Sequence, residues 1–199
     1  MILFSRTWAA RSSAQSIILE SSPRTDILIK TNRLRVETLF EPHRSLIGKD
    51  YDGYRNHVYR TITYAMHFLN QSQELEPLVE TAFVYHDIGL WTDRALAYLE
   101  PFEAVALEDN QKYGWGLDPD ALRGAIHWHH KIFRYRGDHQ ELIEACRKGD
   151  WIDATQGWMR KGLSRSAIAK VESAFPNCGF HQSLMRLARE YGGSTIVGG

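Results

Sequence analysis

The sequence predicts an all-α fold, a compact bundle of several helices, and three observations predict it. Apolar residues recur at steps of three and four along much of the chain. Proline, aspartate and glycine fall where helices start and stop. Nothing reads as a convincing sheet. At 199 residues and 22.9 kDa, one domain of this kind buries about 70% of the surface its unfolded chain would expose.

The elements follow in order. Residues 1–24 hold Arg6, Arg11 and Arg24, six serines and a single acid, Glu20. That composition is loosely transit-like, and a frayed terminus is the simpler reading. Residues 1–30 are therefore expected to be an N-terminal extension, 31–190 the domain, and 191–199 a flexible tail. Between Asp50 and Gln71, the residues Tyr54, Val58, Ile62, Ala65 and Leu69 keep a helical period, with His57 on a neighbouring stripe. Leu75 to Ile88 is apolar on most sides, which predicts a buried helix capped by Gly89. Pro101 suits the first turn of a helix ending at Tyr113, before Gly114. Asp118 and Pro119 read as the N-cap and first residue of the next. Asp138, with Glu141 three residues on, resembles a capping box for a helix whose stripe is Leu142, Cys146, Asp150 and Asp153. Ser164 to Phe175 and Phe180 to Glu190 complete the set.

Charge and composition exclude several classes of function. Lysine plus arginine equals aspartate plus glutamate at 24 each. No global field then recruits a nucleic-acid polymer or an anionic membrane, although a local basic patch is compatible with neutrality. Two cysteines, Cys146 and Cys178, make neither a disulfide framework nor a thiolate zinc site. No apolar run approaches the roughly 18 residues of a membrane span. The expectation is a cytoplasmic protein with a small-molecule partner and no membrane partner, its homo-oligomeric state left open.

The segment FVYHDIGLW, residues 83–91, places a titratable pair, His86 and Asp87, at the end of an apolar run. Adjacent helical residues point about 100° apart, so the two can share an ion only where the helix ends or distorts. A metal held by imidazole and carboxylate needs further ligands. The candidates are His57, the cluster His127, His129 and His130, and the pair Asp150 and Asp153. Taken singly, a histidine on an apolar face is usually a hydrogen-bonded core residue.

Together, the segments NHVYR, YHDIGLW, AIHWHHKI and CRKGDWIDA resemble, in that order, the HD superfamily of metal-dependent phosphohydrolases, in particular an uncharacterised bacterial branch. The resemblance runs from about Leu46 to Leu187. It implies a helical bundle around a metal site, with His57, His86, Asp87 and Asp150 coordinating one divalent ion. Manganese, iron, magnesium and zinc all suit mixed imidazole and carboxylate ligands. Gly149 stands where alanine is more usual, and is read as adding backbone freedom. Asp153 is placed behind the ligands, orienting an imidazole.

Further roles follow from the resemblance and the neighbouring residues. His129 and His130 occupy a place where some members bind a second metal and others meet substrate, so they are catalytic candidates. Lys131 and Arg134 could neutralise a phosphate, and Asp93, six residues after the doublet, could serve as general base. The implied function is hydrolysis of a phosphoester, with a nucleotide as one candidate substrate, by metal-activated water. The rival readings are hydration of a nitrile-like molecule, as in the cyanamide hydratase branch, di-iron oxygenase chemistry, and a ligand-binding module without turnover.

Overall fold

The computed structural model describes residues 26–92 and 99–194, and over these the chain is all-α, with no strand. The helices are α1 (Leu34–Phe40), α2 (Arg44–Ile47), α3 (Tyr51–Phe68), α4 (Glu76–Tyr85), α5 (Gly89–Thr92), α6 (Leu99–Lys112), α7 (Pro119–Trp128), α8 (Gln140–Ala154), α9 (Arg165–Ala174) and α10 (Phe180–Ser194). Short 3-10 turns at Glu41–His43 and Gly48–Asp50 connect α1, α2 and α3. Most of the expected N-terminal extension, Asp93 and the last five residues lie outside the described residues.

Helix α3 is buried nearly all round, from Tyr51 to Met66. Its polar residues tolerate this because they are satisfied within the helix or by close partners. Thr61 Oγ1 donates back to the carbonyls of His57 and Val58, and Thr63 Oγ1 to that of Tyr59. Helix α4 is also buried from Leu78 to Tyr85, and packs on α1, α3 and α7.

The most extensive packing is between α3 and α8, and Gly149 decides how close they come. A Cβ there would lie 2.7 Å from the Thr61 carbonyl oxygen and 3.1 Å from the Ala65 nitrogen. The expected role of Gly149 as a source of backbone freedom is thereby corrected. What the position requires is the absence of a side chain at a backbone-to-backbone contact.

Several predicted helix ends hold. Asp118 Oδ1 accepts from the amides of Asp120 and Ala121 at 3.0 and 2.9 Å, opening α7. Ser164 Oγ accepts from the Ala167 amide at 3.1 Å, opening α9. Others differ. Helix α8 is preceded by His139 in the left-handed conformation, φ 57°, with no side-chain cap. The start of the helix thereby shifts one residue past Asp138, and Glu141 no longer stands three residues beyond the cap. Gly89 does not terminate α4. That helix ends at Tyr85, His86 to Ile88 form a turn, and Gly89 opens α5. Helix α10 continues through Gly192 and Gly193 to Ser194, beyond the expected end at Glu190, since each glycine costs a helix only about 1 kcal/mol.

Candidate metal centre

Four elements converge on one buried point. His57 comes from the middle of α3, His86 and Asp87 from the turn between α4 and α5, His129 from the C-terminal end of α7, and Asp150 from α8. All five are 7% exposed or less. The turn after Tyr85 breaks the helical geometry that would otherwise point His86 and Asp87 about 100° apart.

The Nε2 atoms of His57 and His86 lie 3.0 Å apart. Asp87 Oδ2 is 3.3 Å from His86 Nε2 and 3.8 Å from His57 Nε2. Asp150 Oδ1 is 3.8 Å from each imidazole. His129 Nε2 sits 3.5 Å from Asp87 Oδ1, its ring edge-on to His86 at 4.7 Å.

The other nitrogen of each ring is tied down. His86 Nδ1 donates to the Phe83 carbonyl at 2.6 Å, and His129 Nδ1 to the Ile126 carbonyl at 2.6 Å. A carbonyl only accepts, so both protons sit on Nδ1 and the Nε2 atoms face the cluster. His57 Nδ1 donates to Asp153 Oδ2 at 2.6 Å. Asp153 in turn accepts two hydrogen bonds from the buried Arg60, at Nε and, at 2.9 Å, at Nη2. Arg60 also donates to the Phe175 carbonyl at 2.8 Å. The plane of His57 is fixed by Phe180, stacked on it with centroids 4.1 Å apart and planes 16° apart.

These bonds set the electrostatics. Burial holds His86 down at about 3, against the pull of Asp87, so its ring is neutral. Burial works against the charge on Asp153 too, but His57 and Arg60 more than offset it and hold the carboxylate ionised. Asp87 is likewise held low, because His86, His129 and His57 outweigh burial. Asp150 differs. Burial lifts it to about 6, the neighbouring Asp87 and Asp153 add to the lift, and His129 and His57 do not compensate. His129 rises to about 8, burial being outweighed by its hydrogen bond to Asp87 and the charge of Asp150.

This donor set fits a cation. Two imidazole Nε2 atoms that each hold a proton at Nδ1 confront one another at 3.0 Å, and either a proton or a metal ion has to lie between them. Metal–nitrogen and metal–oxygen bonds of about 2.0–2.2 Å let one ion touch atoms up to about 4 Å apart. Every separation quoted among His57, His86, Asp87 and Asp150 is within that reach. His57, His86 and Asp87 form a buried group that could hold a metal ion.

The structure brings His57, His86, Asp87, His129 and Asp150 together, with Asp153 on the far side of His57. His130 is half-buried beside His129, ring centroids 4.7 Å apart. The hydrogen bonds of Lys131 are through its backbone: its amide donates to the Trp128 carbonyl at 3.1 Å, and its carbonyl accepts from Trp151 Nε1 at 3.1 Å. Arg134 is exposed and faces Glu144 at 3.9 Å, away from the cluster. His127, one of the candidate ligands, instead donates to Glu103 at 2.7 Å. Asp93 lies outside the described residues.

Arg60, Phe180 and His181 escaped the sequence reading. His181 Nε2 donates to the Asp153 carbonyl at 3.0 Å. Arg60 carried a usable signal, one turn after His57 on the same helical face. Phe180 and His181 reach the site only through tertiary packing. A cavity of about 760 Å³ is lined by Leu34 and Arg35 of α1, Tyr85 of α4, Asp109 of α6 and Trp115 in the loop after α6, and by none of the cluster residues. No family model, curated protein or solved structure matches this chain.

Proposed function

We propose that this protein is a metal-dependent phosphohydrolase of the HD type. The observation that carries the reading is the pair of Nε2 atoms 3.0 Å apart, with Asp87 and Asp150 beside them. His57, His86, Asp87 and Asp150 hold one divalent ion. A bound ion supplies Lewis acidity toward a phosphoryl oxygen and makes water a competent nucleophile near neutral pH.

The remaining roles belong to the chain's own residues. Asp153 and Arg60 hold His57 in the tautomer that presents Nε2. His129 holds a proton at Nε2 beside Asp87 and donates it to the leaving oxygen. His130 and Lys131, the next two residues along the chain, meet the substrate, Lys131 as a cation for phosphate.

The test combines composition and turnover. Purified protein should carry about one divalent ion per chain by elemental analysis, with manganese, iron, magnesium and zinc all admissible. A screen of phosphomonoesters, nucleotides and cyanamide should then show ion-dependent phosphate release. Asp87→Ala should lose both ion and activity, whereas Lys131→Ala should keep the ion and lose rate or substrate affinity. Turnover of cyanamide alone would make it a hydratase, and an ion without any turnover would make it a binding module. Failure to bind any divalent ion, with all four ligands intact, would sink the reading.

A further inference from the structure

Two loops near the cluster expose large apolar side chains among unpaired cations. In the loop after α7, Ile132 and Phe133 are 76% and 80% exposed. In the loop after α8, Trp158 is 79% exposed. The loops meet at Trp151, whose Nε1 donates to the Lys131 carbonyl at 3.1 Å while Lys161 Nζ lies 5.9 Å from its ring centroid.

The apolar tips are held out by the backbone. Gln156, Gly157, Lys161 and Gly162 all have positive φ, between 48° and 103°. The Gly157 amide donates to the Ile152 carbonyl at 2.8 Å, and the Met159 amide to Thr155 Oγ1 at 3.0 Å. Five residues on, Leu163 is buried, so the loop reaches the core while leaving Trp158 outside it. A rigid turn that exposes a tryptophan forgoes the burial such a side chain ordinarily gains, which marks a contact surface.

Along the sequence the charge of these loops is of one sign, with the acids Glu172 bordering Trp158 and Glu144 facing Arg134. Residues 121–137 and 154–171 each contain four cations and no acid, in a chain whose net charge is zero. Among the described residues Lys131, Arg136, Arg160 and Lys161 form no ion pair. Exposed apolar side chains on loops that carry unpaired cations match an anionic lipid surface, which takes the rings and the isoleucine below the headgroups and the cations among them. A second copy in a two-fold contact would set these cations against themselves. Single-stranded nucleic acid asks for a groove lined with stacking rings, whereas Phe133 and Trp158 stand on different loops and Ile132 cannot stack.

We propose that residues 131–136 and 156–162 form a peripheral docking surface for anionic lipid headgroups. No helix among the described residues is long and apolar enough to cross a membrane, and this surface requires none. It shares Lys131 with the proposed substrate site, and the variants that test it leave that residue unchanged.

Co-sedimentation of the full chain with vesicles tests it. Vesicles containing phosphatidylserine should bind the protein, vesicles of phosphatidylcholine alone should not, and raising salt from about 0.01 to 0.15 M should weaken binding. Arg136→Glu combined with Arg160→Glu should weaken it at least about 25-fold, about fivefold per cation, since each is worth about 1 kcal/mol near such a surface. Ile132→Ser with Phe133→Ser, and separately Trp158→Ser, should each release the protein while circular dichroism and ion content stay as in wild type. The proposal is overturned by equal binding to neutral vesicles, by no binding at low salt, or by wild-type binding in either apolar variant. It is equally overturned if the exposed tips prove to bury themselves in a dimer seen by sedimentation, or if an oligonucleotide competes the protein off the vesicles.

Discussion

The Nδ1 atom of His57 matters as much to the cluster as its Nε2 atom. Asp153 accepts the Nδ1 proton at 2.6 Å, and that bond keeps the lone pair of Nε2 pointed at His86 and Asp87. Arg60 keeps Asp153 ionised and immobile through its paired donors. Asp153→Asn preserves the shape but removes the charge that fixes the tautomer. Its divalent-ion affinity should fall about 10–100-fold, measured by chelator competition, while far-ultraviolet circular dichroism stays helical. An unchanged affinity would leave Asp153 as a plain helix contact. Asp150, by contrast, faces both Nε2 atoms at 3.8 Å. Its carboxyl, lifted to about 6 by burial and by the nearby aspartates, lacks enough neighbouring positive charge, and an ion in the cluster would bring it down.

At the scale of the element, the site depends on how closely α3 and α8 approach, because His57 rides on one and Asp150 on the other. Gly149 permits that approach. Gly149→Ala places a methyl group against backbone atoms, which cannot rotate away, so it should destabilise the fold by about 1–3 kcal/mol. The denaturant midpoint should drop at constant slope. Gly124 offers the internal comparison, because a methyl there meets only the end of the Ile143 side chain. Gly124→Ala should be near neutral, with the gain in helix propensity, about 1 kcal/mol, offsetting the displaced side chain. Equal losses in the two variants would show that backbone proximity is not what distinguishes the positions. The N-cap Asp118 is a third element-scale test, with Asp118→Ala expected to cost about 1 kcal/mol.

At the scale of the whole molecule, one ion would link α3, the α4–α5 turn and α8, so its binding energy becomes folding energy. A saturating divalent ion at about 100 times its dissociation constant should add about 2.7 kcal/mol to stability, read as a higher Tm that a chelator reverses. Acid acts through other groups. Burial opposes the charge on Glu76, but Lys30 and Arg33, at 2.6 Å each, more than offset it and depress its pKa. Glu37 is depressed in the same way by Arg55 and Tyr59. Carboxyls with depressed folded values stabilise the fold fully above the ordinary glutamate value of 4.5, and that stability is lost as pH falls through their folded values. In chelator, stability should therefore decline with acidification below about pH 4.5, and Glu76→Gln should make the decline shallower. A parallel decline in the variant would assign acid sensitivity elsewhere.

The helical class, the course of α3, α4, α7 and α9, and the buried stripe of α8 were legible because amphipathic period and capping residues are local properties of the chain. The titratable pair in FVYHDIGLW announced an unusual site for the same reason, since polar doublets in apolar runs stand out without any partner in view. Everything that depends on distant residues meeting was decided by tertiary structure. The sequence read Gly89 as a cap, Gly149 as backbone freedom and Asp138 as a capping box. Packing instead put a turn at the doublet, a backbone contact at Gly149 and a left-handed His139 before α8. Arg60 behind Asp153 and Phe180 against His57 belong to the same category. Local propensity determines which segments become helices, but the distance between two side chains on different helices depends on how the helices pack, and no local pattern encodes that.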